Sequence, residues 1–256
     1  MQTAGQLIPC SLVDSSIAKS SPRTIRLALE HGKIDLQGQF LLGSNYTFLV
    51  KVCHAGEELP AVYKPMRGEQ PLWDFPPASL AGREVAAWLV SEALGFGFVP
   101  FTILRDGPFG PGSLQQYIDH NPKIHYFSFK PADRQRLRPV ALFDLLINNA
   151  DRKGGHILLE KRSRRIYLID HGLCFHAEDK LRTVLWDFSG EAIPPELLSS
   201  LEMFCRDLPH GLAASLGEYL LAEELAALQS RLEALLLAGR FPLPPEDRRA
   251  WPYPPV

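Results

Sequence analysis

The segment 144–175 constrains the fold of this chain more than any other part of its sequence. It reads DLLINNADRKGGHILLEKRSRRIYLIDHGLCF. Its periodicity predicts the end of an apolar helix, a polar loop and two short strands, Ile157–Glu160 and Arg165–Ile169, joined by a basic turn. Asp151 lies in the loop and Asp170 follows the second strand, so a hairpin would bring the two carboxylates together.

Carboxylates that end buried strands need partners, because an unpaired buried charge is strongly destabilising. A divalent cation and a phosphate group would suit Asp151, His156 and Asp170. Asp-Arg and Asp-His pairs also occur in ordinary turns, where Asp supports the local backbone. Three such residues around one hairpin nevertheless favour a functional site.

Composition limits the class of protein. The 256 residues can form one large domain or two small lobes. The chain has 46% hydrophobic and 22% charged residues, which is typical of a globular protein. A net charge of −2 gives no general attraction to nucleic acid. The four cysteines form no CxxC pair, which favours a reducing compartment. Without a long apolar run or a signal-like N-terminus, we expect a cytoplasmic, soluble chain with no integral membrane segment.

The first half of the chain has the pattern of a β-rich region. A helix is predicted at 24–31, followed by strands at 34–42 and 46–52. The turn between these strands is Gly43-Ser44-Asn45. Such a turn can point backbone amides at an anion, and it is also what ordinary hairpins use.

Lys64 lies near the end of an apolar strand predicted at 59–65. A helix is predicted from Ser79, as N-cap, to about Gly95, and it carries Glu84, 20 residues after Lys64. A strand lysine paired with a helix glutamate holds ATP phosphates in protein kinases. The alternatives are an edge-strand lysine that discourages aggregation and a solvated helix glutamate.

The rest of the chain changes from strands to helices. Two more strands are predicted at 98–104 and 113–118. The chain is then mainly helical, with helices predicted at 133–147, 195–207 and 221–237. Pro139 lies inside the first of these helices, so that helix either starts there or is kinked there. The last helix has the pattern of an amphipathic scaffold.

Three motifs carry a resemblance to known kinases. Asn149-Ala150-Asp151-Arg152 followed by Ile169-Asp170-His171-Gly172 is similar to the loops of type II phosphatidylinositol 4-kinases, and Lys64-Pro65 matches the nucleotide-binding Lys-Pro of these and HipA-type kinases. With SNYTFLV and NADRKGGH, residues 24–256 resemble a bacterial family described as phosphatidylinositol 3-/4-kinase-like.

This resemblance implies an α+β, bilobal, protein-kinase-like fold. A single domain over 1–256 would contain a β-rich N-lobe at 24–118 and a mainly helical C-lobe at 119–256. Lys64 would bind the ATP phosphates and Glu84 would orient it. The turn residues Gly43, Ser44 and Asn45 would cover the phosphates. The adenine would be held by the hinge residues Gln116, Tyr117 and Ile118.

The resemblance also implies roles in the second half. Asp151 would accept or position the proton of the attacking hydroxyl, and Asp170 would hold Mg²⁺. Arg152 would stabilise the transferring phosphate or lock the loop. His156 stands where those kinases have asparagine. Because imidazole suits transition metals better than Mg²⁺, His156 as a second metal ligand implies one Mg²⁺, or Mn²⁺ instead.

The leading hypothesis is an ATP-dependent phosphotransferase that phosphorylates a hydroxyl of a protein or of a phosphoinositide-type lipid head group. A basic turn at 161–165 could face lipid, but a solvated hairpin tip explains it equally well. His156 motivates one alternative, a nucleotide-binding pseudokinase. Another is a metal-dependent phosphohydrolase using Asp151, His156, Asp170 and His171, although we read His171 and His176 as structural.

Overall fold

The computed structural model describes residues 20–40 and 45–256. Gly43 and Ser44 of the predicted turn lie outside the described residues, whereas Asn45 lies within them. The chain forms two compact units. The first comprises the described residues up to Val85 together with Pro100–Asp119, and the second comprises Ala86–Val99 and His120–Val256.

The first unit is built on one antiparallel sheet. Helix α1, Pro22–His31, precedes it and begins where the Ser21 hydroxyl accepts a hydrogen bond from the Thr24 amide at 3.1 Å. The strands are β1 (Lys33–Gln39), β2 (Phe48–His54), β3 (Glu57–Pro65), β4 (Thr102–Gly107) and β5 (Gly110–Gln116). Their order in the sheet is β1-β2-β3-β5-β4.

Strand β3, which carries Lys64, is therefore the central strand. The edge-strand explanation for this lysine is wrong, because β3 pairs with β2 on one side and with β5 on the other. Alternate β3 residues Leu59, Ala61 and Tyr63 are at most 3% exposed and pack into the first unit's core with Leu29 of α1. Lys64 projects from the opposite, less buried face of the strand.

The second unit is mainly helical. Helix α2 (Leu80–Ala93) contributes its later residues, followed by α3 (Pro131–Gln135), α4 (Arg138–Ile147), α5 (Pro195–Asp207), α6 (Ala213–Leu216) and α7 (Ala222–Ala238). A hairpin of β6 (Ile157–Leu159) and β7 (Ile166–Leu168) lies between α4 and α5. The single helix predicted at 133–147 is two helices, and Pro139 lies in the first turn of the second.

The core of the second unit places the loop that follows α4. Leu142 and Leu146 of α4 are fully buried in one cluster with Leu232 of α7 and with Ile157 and Leu168 of the hairpin. Helix α4 therefore ends beside β6 and β7. The helix stops at Asn148, which adopts the left-handed conformation with φ of 53°, a conformation that asparagine tolerates better than most residues.

The predicted α+β fold class is confirmed by this division into a sheet-rich part and a mainly helical part. Among the residues that the structure describes, the helices are all too short or too polar to cross a lipid bilayer.

Candidate active site

Lys64 and Glu84 form an ion pair in the first unit. The Lys64 side chain is 23% exposed and that of Glu84 only 4%. The solvated-glutamate alternative is therefore wrong, since Glu84 is buried near the start of α2. The pair holds the ammonium group at a fixed place beyond the less buried face of β3, with part of its surface left accessible.

Glu69 determines where helix α2 begins. Its carboxylate accepts hydrogen bonds from the amides of Leu80 and Ala81 at 3.2 and 2.9 Å. Ser79, the predicted N-cap, instead donates its hydroxyl to the Pro76 carbonyl at 2.7 Å. The carboxylate also stabilises the positive end of the helix dipole, although burial raises the pKa of Glu69.

We expect Glu69→Ala to lower the free energy of unfolding by about 1–2 kcal/mol, because two first-turn amides lose their acceptor. Urea denaturation followed by tryptophan fluorescence measures this change. Glu92→Ala, at an exposed position of the same helix, is the matched control and should change stability by less than about 0.5 kcal/mol. Equal effects of the two substitutions would contradict the capping role of Glu69.

The structure describes Asn45 of the predicted turn and all three predicted hinge residues. The Asn45 side-chain oxygen accepts a hydrogen bond from the Gln70 amide at 2.7 Å, which ties the end of the turn to the segment just before α2. The Gln116 amide donates to the Phe101 carbonyl at 2.9 Å, and the Tyr117 amide donates to the Pro60 carbonyl. These two amides are thus already satisfied by the protein, so a ligand would have to use other backbone groups of 116–118.

A buried ion pair supports the loop after α4 in the second unit. Asp144 and Arg152 are both fully buried, and the Arg152 Nε donates to both carboxylate oxygens of Asp144 at 3.0 and 3.1 Å. Asp144 also accepts hydrogen bonds from Asn149 at 3.2 Å and from the Thr183 hydroxyl at 3.1 Å. Four donor contacts compensate the desolvation of this carboxylate.

The rest of the Arg152 guanidinium reaches the other side of the site. Its Nη1 donates to the Ile169 carbonyl at 2.9 Å, and its Nη2 lies 2.8 Å from the Nε2 of His171. Arginine can only donate, so the His171 Nε2 accepts and the neutral ring carries its proton on Nδ1. This contact to a buried arginine is the kind that a structural histidine makes. Arg152 contacts both the helix before Asp151 and the turn that carries Asp170.

Asp151 is three-quarters buried and lies 3.1 Å from the Lys153 Nζ. Its amide donates to the Asn149 side chain at 2.9 Å, which shapes the loop. Burial raises the pKa of Asp151 above its ordinary value. The hydrogen bond and charge of Lys153 oppose this effect, whereas the negative charge of Asp170 adds to it.

Asp170 is more accessible than Asp144 or Asp151, with a side chain 48% exposed. Its backbone is left-handed, with φ of 64°, which aspartate adopts more readily than most residues. The His156 Nε2 lies 3.2 Å from one Asp170 oxygen, and the Lys153 amide lies 3.4 Å from the His156 Nδ1. The structure thus places His156 beside Asp170. Asp170 also lies close enough to Asp151, its predicted partner across the hairpin, for its charge to raise the pKa of Asp151. His176 accepts a local hydrogen bond from the Glu178 amide at 3.0 Å, which also agrees with its structural reading.

The carboxylates of Asp170 and Asp151 are of the kind that could hold a magnesium ion. Mg²⁺ is usually held by one or two carboxylates together with waters and substrate phosphates. Asp170 has an accessible carboxylate, and the Asp151 carboxylate is partly open. Within the two described ranges, no group of three or more His, Cys, Asp or Glu side chains forms a cage that would bind a metal by itself.

Three residues that shape the site were not among the site residues predicted from the sequence. Asp144 had a detectable signal, because a single carboxylate in the apolar run LFDLLI must be paired if the helix is buried. Lys153 could be suspected from its position two residues after Asp151. Glu69 gave no signal, since it caps a helix that begins 11 residues later in the chain.

Comparisons with known proteins found two relatives by sequence. Protein Rv2133c of Mycobacterium tuberculosis (strain ATCC 25618 / H37Rv) is 39% identical over 261 residues, covering 88% of this chain and 93% of the relative. Phosphatidylinositol 4-kinase gamma 4 of Oryza sativa subsp. japonica is 27% identical over 177 residues, covering 55% of this chain and 31% of the plant protein. No protein-family profile matches the chain.

The solved structure of the Helicobacter pylori proinflammatory kinase CtkA superposes with a TM-score of 0.54 at 12% identity, covering 80% of this chain and 91% of that one. At that identity the likeness concerns the fold alone, which is kinase-like. Because the mycobacterial relative is 39% identical over most of both chains, the chain belongs to the same protein family as Rv2133c.

Proposed function

We propose that this protein is an ATP-dependent phosphotransferase that transfers the γ-phosphoryl group to a hydroxyl. The observation that carries the proposal is the Lys64–Glu84 ion pair on the central strand and an adjoining helix. A buried glutamate that fixes a partly exposed ammonium group is suited to binding phosphate. A hydrolase that used only the acidic and histidine residues of the second unit would give this pair no role.

The nucleotide would be bound by residues of the first unit. Lys64 would contact the α- and β-phosphates, with Glu84 fixing its position. The turn 43–45 would cover the phosphates with backbone amides. The adenine would be held by backbone groups of 116–118 other than the two amides that already donate within the protein.

The chemical step would use Asp151. The oxygen of the acceptor hydroxyl attacks the γ-phosphorus, a new O–P bond forms, and the bond from phosphorus to the bridging oxygen breaks to release ADP. The proton of the hydroxyl passes to the Asp151 carboxylate. Because Lys153 lies 3.1 Å from this carboxylate, it favours the ionised form that can accept the proton.

A bound Mg²⁺ would neutralise negative charge on the phosphates. We propose Asp170 as its main ligand, since this carboxylate is half exposed. His156, which lies beside Asp170, would orient the carboxylate or favour Mn²⁺ over Mg²⁺. Arg152 is fully buried, so we assign it the role of locking the loop rather than contact with the phosphate.

Lys153→Met is expected to shift the acidic limb of the pH–activity profile to higher pH. Lys153 lowers the pKa of Asp151. Loss of its ammonium group therefore leaves burial and the charge of Asp170 to raise that pKa further. The carboxylate form, and with it activity, is then lost at a higher pH as the pH falls. The measurement is kcat/KM against pH, and Lys153→Arg serves as the charge-retaining control. An unchanged limb in Lys153→Met would contradict the role of Asp151 as proton acceptor.

The direct test of the proposal is transfer of labelled γ-phosphate from ATP in the presence of Mg²⁺ or Mn²⁺. We expect product from the wild-type protein and almost none from Lys64→Met. The matched control is Lys51→Met, which removes a strand lysine whose ion pair with Glu58, at 3.0 Å, is exposed. The proposal is wrong if Lys64→Met and Lys51→Met retain equal activity.

The second candidate is a nucleotide-binding pseudokinase, which His156 favours because it replaces a hard oxygen ligand with imidazole. Saturable ATP binding without product under either metal would support it. For the acceptor, the similarity to a phosphatidylinositol 4-kinase of Oryza sativa suggests the head group of a phosphatidylinositol-type lipid. Incubation with phosphatidylinositol vesicles and with a generic protein substrate distinguishes lipid from protein hydroxyls.

A further inference from the structure

Helix α7, whose sequence pattern is that of a scaffold, contributes one side chain to the loops of the candidate site. The Arg231 Nε donates to the Leu146 carbonyl at 2.9 Å, and its Nη1 donates to the His176 carbonyl at 3.2 Å. Leu146 lies in the last turn of α4, where carbonyl groups lack helical partners. His176 follows Asp170 in the chain by six residues. One guanidinium therefore joins the end of α4 to the segment after Asp170.

A second side chain spans the same gap. Asn148, which ends α4 and is 1% exposed, donates to the carbonyls of His176 and Glu178 at 2.9 and 2.7 Å. Its side-chain oxygen accepts from the Lys180 amide at 3.0 Å. The His176 carbonyl is thus shared between Asn148 and Arg231, and we call these two residues the loop clamp.

The clamp joins the two chain segments that carry the residues on which the proposed chemistry depends. Asp151 follows Asn148 by three residues. On the other side, the Phe175 amide donates to the Ile147 carbonyl at 2.6 Å. Phe175 is fully buried with φ of 69°, a conformation that an aromatic residue holds only when its surroundings enforce it.

The charge of Arg231 is unfavourably buried. Burial lowers its pKa to about 10, so the guanidinium is still charged at neutral pH. A surface-facing lysine or glutamine would serve a purely amphipathic helix as well. The contacts to two backbone carbonyls 30 residues apart in the chain provide a physical reason for arginine at this position.

We propose that Arg231 is a positioning residue for the phosphotransfer reaction: it holds the segment after Asp170 against the end of α4 and thereby fixes the Asp151 loop relative to Asp170. The inference rests on the proposed function for its catalytic consequence. Its structural consequence, an ordered segment 175–180, can be measured without activity.

The first test is amide hydrogen exchange in the full-length wild-type protein and in Arg231→Met. We expect the Phe175 and Lys180 amides to exchange about tenfold faster or more in the variant, the size expected when hydrogen bonds from a charged group are lost. Leu232→Ala, at a fully buried position of the same helix, controls for general destabilisation. Equal exchange of these amides in Arg231→Met and Leu232→Ala would overturn the proposal, whether or not the protein has activity.

The second test separates positioning from binding. In the γ-phosphate transfer assay, Arg231→Met is expected to lower kcat about tenfold or more while KM for ATP changes by less than about threefold. Arg231→Lys should recover part of the loss, because an ammonium can still donate to these carbonyls. A kcat that falls only as far as in Leu232→Ala would overturn the catalytic part of the inference. An inactive wild-type protein would instead refute the proposed function and leave the exchange result to decide on the clamp.

Discussion

Replacing Asp144 by asparagine is expected to lower the free energy of unfolding by about 3–5 kcal/mol. The substitution keeps the size of the side chain and removes its charge. The Arg152 guanidinium, which has no exposed surface, would then be a buried cation without its counter-ion. The Thr183 hydroxyl, which donates to the second oxygen of Asp144 at 3.1 Å, would face an amide in place of the carboxylate.

Urea denaturation followed by tryptophan fluorescence measures this effect. The control is Glu191→Gln, which breaks the ion pair with Arg138 at 2.8 Å, where both side chains are partly exposed. An exposed pair contributes less than about 1 kcal/mol. If Asp144→Asn were no more destabilising than Glu191→Gln, the buried network would not be what holds the loop in place.

Replacing Asp151 by asparagine is expected to lower the turnover number by about 10²–10⁴-fold, the contribution typical of a general base. Asparagine cannot accept the proton of the attacking hydroxyl. The loop should keep its shape, because its backbone contact to Asn149 uses the amide of residue 151 rather than its side chain. Nucleotide binding should therefore change little.

Single-turnover transfer of γ-phosphate, with nucleotide affinity measured in parallel, separates the two effects. Glu196→Gln, which replaces an exposed acidic residue at the start of α5, is the control and should keep wild-type activity. A tenth or more of wild-type turnover in Asp151→Asn would assign the proton transfer to another group.

Local patterns predicted the elements whose boundaries depend on nearby residues. Helix α5 has the predicted bounds, Pro195–Asp207, because a proline begins it and an amphipathic repeat continues it. The β6–β7 hairpin forms where two apolar runs flank a basic turn. The Lys64–Glu84 contact was predictable because it needed only a strand lysine and a helix glutamate at a familiar spacing.

Contacts that are distant in the chain could not be predicted in this way. The strand expected at 98–104 begins only at Thr102, because the amides of Phe98 and Val99 donate to the Ser91 hydroxyl and Pro100 has no amide hydrogen. Likewise, Arg231 meets a carbonyl that lies 85 residues away. Periodicity shows which face of a helix is apolar, but it does not show which polar side chain on that helix will find a backbone partner elsewhere.

The most direct measurement of the central claim is calorimetric titration of a non-hydrolysable ATP analogue into the wild-type protein, Lys64→Met and Asp170→Asn, with Mg²⁺ and with Mn²⁺. We predict saturable one-to-one binding by the wild type, with affinity about tenfold or more weaker in Lys64→Met because a charge-assisted phosphate contact is lost. In Asp170→Asn, Mg²⁺ or Mn²⁺ should no longer increase the affinity for the ATP analogue. Equal affinities in all three proteins, or no binding by the wild type with either metal, would contradict nucleotide binding by Lys64 and metal binding by Asp170.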